Sequence, residues 1–164
     1  MRSALKKVAR VGEVTLTEAL ARSINSVAVK LADRVGVSSI ANAARRLGIS
    51  SPIQDNLSIA LGSSEVTLLE LTSAYSTFAD GGRHFAPYGI VEITGADGAA
   101  LYTHRSEATQ ATDETNAREM TYMLSHVVTE GTGQRAALAD RPAAGKTGTS
   151  QDNRDAWFIG YTGN

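Results

Sequence analysis

A run of small residues near the C-terminus, Ala144-Gly145-Lys146-Thr147-Gly148-Thr149-Ser150, sets a cation between hydroxyls and glycines. Its alternation of small and hydroxyl residues predicts a strand. Gln151-Asp152-Asn153-Arg154 predicts a turn, and Asp155-Ala156-Trp157-Phe158-Ile159-Gly160-Tyr161-Thr162 the partner strand of a hairpin. Gly148 weakens a strand but lets another backbone approach closely. With Lys146 as the cation and Thr147 and Thr149 as hydroxyl donors, the strand edge suits an extended peptide that carries a carboxylate. A second polar spot, Ser23-Ile24-Asn25-Ser26, interrupts an apolar helical pattern. Taken alone, its Ser23 and Asn25 read as residues that break and cap helices, and Lys146 reads as a solvated strand cation.

Gly145-Lys146-Thr147 also matches the end of the phosphate-binding pattern G-x-x-x-x-G-K-[ST]. Asp140 stands where that pattern opens with glycine, and the residues beyond Thr147 read as strand rather than helix. A phosphate-loop NTPase is therefore a remote alternative. His84, His104 and His126 lie far apart without ligand spacing, and there is no cysteine, so neither a metal site nor a disulfide is expected and no cofactor is implied.

The elements that must position these groups fit one globular domain. The chain has 164 residues, 42% of them hydrophobic, and can bury roughly two-thirds of its unfolded surface. A net charge of −1 implies no nucleic-acid partner. No apolar run reaches the roughly 20 residues of a membrane helix. The basic start (Arg2, Lys6, Lys7, Arg10) lacks the apolar stretch of an export signal.

Thr15-Leu16-Thr17-Glu18 reads as a capping box opening a helix with Leu16, Ala19 and Leu20 on its apolar face. Beyond the polar break a second helix points Val27, Ala28, Leu31 and Val35 inward and stops at Gly36. Ser38 caps a third helix (Ile40, Ala44, Leu47) that ends at Gly48, and residues 49–62 form a loop. Thr67-Leu68-Leu69-Glu70 is a second capping box, before a helix that buries Leu68, Leu71, Tyr75 and Phe78. Residues 88–94 and 99–103 form a hairpin about Ala96-Asp97-Gly98. Residues 109–113 are polar and exposed. Asp113 caps a long helix with Ala117, Met120, Leu124, Val127 and Val128 inside, and Gly131-Thr132-Gly133 is a flexible link to the final hairpin. Helices, a hairpin, a helix and two strands argue for an α+β fold with an antiparallel sheet flanked by helices.

Ser23-Ile24-Asn25 and Lys146-Thr147-Gly148 together resemble two of the three signatures of penicillin-binding proteins and serine β-lactamases, Ser-x-Asn and Lys-Thr-Gly. The words around them extend the likeness: Thr17-Glu18-Ala19-Leu20-Ala21-Arg22 before the first, Ile59-Ala60-Leu61-Gly62, Glu65-Val66-Thr67-Leu68-Leu69-Glu70-Leu71, Glu130-Gly131-Thr132-Gly133, and the aromatic strand from Asp155 to Thr162. Class A bifunctional transpeptidases resemble the chain more than β-lactamases do. The resemblance implies a partial β-lactamase/transpeptidase-like fold over residues 12–164, with residues 1–11 as a tail outside the family.

For function, the resemblance implies acyl transfer in peptidoglycan cross-linking. A serine attacks the D-Ala-D-Ala amide of a stem peptide, an amine from a neighbouring strand resolves the acyl-enzyme, and β-lactams acylate the same serine. In that scheme Ser23 relays a proton to the leaving amine, Asn25 holds the substrate amide, and Lys146 supplies the positive field. Thr147 and Thr149 bind the carboxylate, Gly148 makes room, and the Thr149 N–H is one oxyanion donor. The family implies an extracytoplasmic location.

One signature departs from the pattern. The Ser-x-x-Lys nucleophile lies well upstream of Ser-x-Asn in the family, whereas here only Ser3-Ala4-Leu5-Lys6 is available, in a basic tail that offers no desolvation for a lysine base. The expectation is a partial transpeptidase domain, a truncated product or one piece of a split domain, which needs the remainder of the domain as a partner. A non-catalytic module that binds peptidoglycan peptides or an intact synthase is the alternative.

Overall fold

The computed structural model describes residues 12–150 and 156–163. Ser3 to Lys6 and the expected turn at residues 151–154 lie outside them. Along the chain come α1 (Leu16–Ala21), α2 (Asn25–Val35), α3 (Val37–Arg46), a 3-10 turn (Leu57–Leu61), α4 (Leu68–Ala79), β1 (Arg83–Phe85), β2 (Glu92–Thr94), β3 (Ala100–Thr103), β4 (Ala108–Gln110), α5 (Glu114–Thr129), a second 3-10 turn (Gln134–Ala136), β5 (Ala143–Thr149) and β6 (Ala156–Thr162). The described strands form three antiparallel pairs, β1 with β4, β2 with β3 and β5 with β6, so the α+β expectation holds.

α5 is the centre of the core. Ala117 and Val127 are fully buried on it, and Leu124 and Val128 nearly so. α1 lies against one side of α5 and β5 against another. The facing residues are small: Ala19, Ala21 and Ala144 are buried, which lets these backbones come close.

Local signals are realised unevenly. Thr67 and Glu70 form the full reciprocal capping box. Thr15 accepts from the Glu18 amide at 3.1 Å, but the Glu18 carboxylate turns to Arg22 at 2.7 Å rather than back to the cap, so the first box is half formed. α3 begins directly after Gly36, at φ 88°, which leaves Ser38 inside its first turn instead of at the cap. Asp113 occupies the N-cap position of α5 without a side-chain bond. The 96–98 turn forms as expected: the Asp97 carboxylate accepts from the Ala99 amide, and Gly98 takes φ 81°.

Three burial expectations are corrected. Leu31, Val35 and Leu68 are exposed, Leu31 because its side of α2 opens into a groove. α4 buries Ser73, Ala74 and Thr77 instead, small residues that allow β1 to approach; Ser73 Oγ donates to Phe85 O at 3.3 Å. Of residues 109–113, expected to be polar and exposed, Thr109 and Gln110 are exposed as expected and end β4, whereas Ala111 is buried. A three-residue strand is too short for an alternation to announce it.

A candidate acyl-transfer site

The site begins with how α1 stops. The Ser23 amide donates to Leu20 O at 3.1 Å and the Ile24 amide to Ala19 O at 2.9 Å. This pair of bonds closes a helix around a residue in the left-handed region, a place glycine usually takes. Here the residue is Ser23, the one described non-glycine residue with positive φ, at 54°. A side chain in that conformation costs roughly 1–2 kcal/mol. Strained residues of this kind persist where their surroundings over-determine them, and they concentrate at functional sites. The bend turns the chain directly into α2, whose first residue is Asn25.

The β5–β6 hairpin supplies the second half. Lys146 pairs with Ile159, Thr147 with Phe158 and Gly148 with Trp157. Gly145 and Gly160 make room for the Phe158 ring: a Cβ at Gly145 would collide with Phe158 Cζ and lie 2.6 Å from Ile159 O, and one at Gly160 would lie 2.6 Å from Phe158 Cε1. With those glycines the hairpin packs tightly, and Ala144 beside them is buried.

The two halves meet. Lys146 Nζ donates to Ser23 Oγ at 2.9 Å, to its neighbour's carbonyl, Thr147 O, at 3.0 Å, and to Thr147 Oγ1 at 3.4 Å. The three ammonium protons therefore have three acceptors. Lys146 is half-buried, and the desolvation of its charge pulls its pKa below the ordinary lysine value. Because an ammonium can only donate, Ser23 Oγ accepts, and the Ser23 hydroxyl proton stays available to a third party.

Thr132 was not among the residues that sequence reasoning assigned to a site. Its Oγ1 lies 2.7 Å from Thr147 Oγ1, and its amide donates to Ala21 O at 3.0 Å. The Gly131-Thr132-Gly133 segment is thus pinned rather than flexible. A Cβ at Gly131 would collide with Ala21 O, one at Gly133 would lie 3.1 Å from Val127 Cγ1, and the Gly133 amide donates to Val127 O at 2.8 Å. The two glycines read as looseness in the sequence, yet here they permit close approach between α1, α5 and the strand.

Asn25 is exposed and lines a groove with Ser23 and Lys146. This groove, about 270 Å³, has apolar walls from Leu16 and Leu20 of α1, Val27 and Leu31 of α2, and Met120 and Met123 of α5. Farther along β5, Gly148 and Thr149 are exposed, and a Cβ at Gly148 would meet no atom within 4 Å. Among the described residues β5 pairs with β6 alone, so its other edge carries no strand. The structure thus brings Ser23, Asn25, Lys146 and Thr147 to one place, with Gly148 and Thr149 on the adjoining open stretch of the same strand.

The phosphate-loop alternative is corrected. Gly145-Lys146-Thr147 lies within β5 rather than in a loop opening a helix, so no set of amides converges on a phosphate there. The three histidines have local partners: His84 sits 3.3 Å from Thr77 Oγ1, His104 stacks on Tyr88, and His126 lies against Tyr122.

The penicillin binding protein transpeptidase domain family matches residues 3–164. Penicillin-binding protein 1A of Aquifex aeolicus is 41% identical over 151 residues, covering 92% of this chain and 21% of its own length. The chain therefore spans about a fifth of that relative. Among solved structures, penicillin-binding protein PonA1 of Mycobacterium tuberculosis superposes with a TM-score of 0.82 at 27% identity, over 93% of this chain and 46% of that one. PonA1 in complex with penicillin V gives 0.80 at 26% identity, with the same coverage. These helices and hairpins are thus part of a transpeptidase domain of the β-lactamase-like type, and the chain belongs to the penicillin binding protein transpeptidase domain family.

Proposed function

We propose that this chain forms the substrate-holding half of a serine transpeptidase site that acts on D-Ala-D-Ala stem peptides in peptidoglycan cross-linking, outside the cytoplasm. One observation carries the proposal: Lys146 Nζ and Ser23 Oγ meet at 2.9 Å from positions 123 residues apart. The peptide lies along the open edge of β5, where Gly148 leaves space. Its terminal carboxylate, or that of a β-lactam, takes hydrogen bonds from Thr147 and Thr149 in the field of Lys146. Asn25 offers a donor and an acceptor to the peptide amide.

In the reaction, a serine oxygen forms a bond to the penultimate carbonyl carbon while the bond from that carbon to the terminal D-Ala nitrogen breaks. The departing amine takes the Ser23 hydroxyl proton, which is free because Ser23 Oγ accepts from Lys146, and the proton lost by the attacking serine replaces it on Ser23, so that Ser23 acts as a relay. The Thr149 amide stabilises the developing oxyanion, a donor worth roughly 3 kcal/mol in such sites. An acceptor amine then attacks the ester carbon; the new amide bond forms as the bond to the serine oxygen breaks, and the proton shed by the amine returns to that oxygen.

In this reading the reacting serine lies outside the described residues and is contributed by the remainder of a transpeptidase domain. The apolar groove beside Ser23 and Lys146 is the surface on which that remainder packs. The test joins two measurements. The chain is expected to bind an acyl-D-Ala-D-Ala peptide non-covalently, and Lys146→Ala to weaken that binding; unchanged affinity in the variant removes the role of Lys146. Intact-mass analysis after exposure to penicillin is expected to show no adduct on the chain alone. An adduct abolished by Ser3→Ala overturns the placement of the nucleophile outside this chain.

A further inference from the structure

Thr147 Oγ1 sits between two neighbours. The Lys146 ammonium donates to it at 3.4 Å, and Thr132 Oγ1 lies 2.7 Å away on its other side. Because the ammonium can only donate, Thr147 Oγ1 accepts from it; the bond to Thr132 can run in either direction, and with Thr132 as donor the Thr147 hydroxyl proton is left for a ligand carboxylate. The Thr132 backbone is held in turn: its amide is bound to Ala21 O, two residues before Ser23, and the flanking glycines pack against Ala21 and Val127. One residue therefore ties the lysine strand to the bend that carries Ser23.

We infer that Thr132 is a positioning residue of this site, its hydroxyl fixing the rotamer of Thr147 and, through Thr147, the aim of the Lys146 ammonium at Ser23. The inference deepens the substrate-holding reading and rests on it for its functional consequence. A free Thr147 side chain has three staggered χ1 wells to choose from. The bond to Thr132 selects one of them, and with it the position of a hydroxyl that both faces Lys146 and, in the proposed function, meets the ligand carboxylate. Thr132 touches neither the peptide nor the reacting atoms in this scheme. It acts through Thr147.

The test uses the full chain with Thr132→Val, which keeps the β-branched shape and the backbone amide while removing the hydroxyl, and Thr132→Ser, which keeps the hydroxyl. The first readout needs no ligand: three-bond couplings from the Thr147 methyl carbon to its backbone nitrogen and carbonyl carbon report χ1. A single rotamer is expected in the unmodified chain, averaging in Thr132→Val, and return to one rotamer in Thr132→Ser. The second readout is affinity for an acyl-D-Ala-D-Ala peptide, expected to fall about five- to tenfold in Thr132→Val, the worth of one hydrogen bond, and to recover in Thr132→Ser. Averaging already present in the unmodified chain, or a single Thr147 rotamer retained in Thr132→Val, overturns the inference, and so does undiminished affinity in that variant. If the unmodified chain binds no peptide, the substrate-holding reading fails, and the couplings still decide the role of Thr132.

Discussion

Lys146 reaches across the fold to Ser23, Nζ to Oγ 2.9 Å, and the serine it reaches holds a backbone conformation that ordinarily belongs to glycine. The contact joins the two halves of the site and explains why a strained residue sits at this bend. Glycine there would relax the backbone but would offer the ammonium no oxygen.

The first prediction separates those two effects. Ser23→Gly and Ser23→Ala both remove the hydroxyl, and only the alanine keeps the left-handed strain. Denaturant unfolding should find Ser23→Gly more stable than Ser23→Ala by about 1 kcal/mol. Both variants should bind an acyl-D-Ala-D-Ala peptide less well than the unmodified chain. Equal stabilities would show that the bend is not strained in solution.

Two glycines of one strand should behave oppositely. Gly145→Ala pushes a methyl into Phe158 and the Ile159 carbonyl, so it should cost about 1–3 kcal/mol of stability as an overpacked core change. At Gly148 a Cβ meets nothing within 4 Å, so Gly148→Ala should leave stability unchanged or raise it by up to about 1 kcal/mol. The methyl should nonetheless weaken peptide binding, because it occupies the face that the ligand backbone approaches. Melting curves with peptide titrations on the two variants test this, and a destabilised Gly148→Ala would contradict it.

The Glu70 carboxylate joins the loop after α3 to the start of α4. It accepts from the amides and hydroxyls of Ser50 and Ser51 and from both groups of Thr67. Those bonds, first among them the Ser50 and Ser51 hydroxyls, hold its pKa well below the usual carboxylate range. The stabilisation is therefore fully present above the ordinary value of 4.5 and is lost as pH falls towards the folded value. Glu70→Ala should lower the melting temperature at neutral pH, and the gap to the unmodified chain should close as the solution is made acidic. A gap independent of pH would assign the effect to packing instead.

Alkaline titration should show two opposed contributions. Burial depresses the Lys146 pKa, so the unfolded chain binds more protons just below 10.5, and the cost of burying this charge is recovered as pH rises through that window. Burial first, and then Tyr161, pushes Tyr75 up to about 12. The folded chain thus keeps a proton that the unfolded chain loses from about 10.0, and the stability this represents falls away as pH rises towards 12. Urea unfolding at stepped alkaline pH should show the unmodified chain gaining on Lys146→Met below 10.5 and losing to Tyr75→Phe above 10. Parallel curves would refute both directions.

The sequence alone determined what is encoded within a few residues. The Thr67–Glu70 capping box, the Asp97-Gly98 turn, the apolar face of α5 and the β5–β6 hairpin rest on local hydrogen bonds or a short period, and each forms where the residues announce it. Ser-x-Asn and Lys-Thr-Gly, with their flanking words, likewise identified the family. Only the tertiary structure decided which polar groups meet. Nothing local says that Lys146 finds Ser23, or that Glu18 prefers Arg22 to its own cap. Thr132 shows the reason most plainly. Its glycine neighbours read as a loose linker because propensity sees backbone freedom, whereas the fold uses the missing side chains to press α1, α5 and β6 together. Close approach depends on residues far apart in the chain, and packing at that distance leaves no period or spacing for a linear reading to detect.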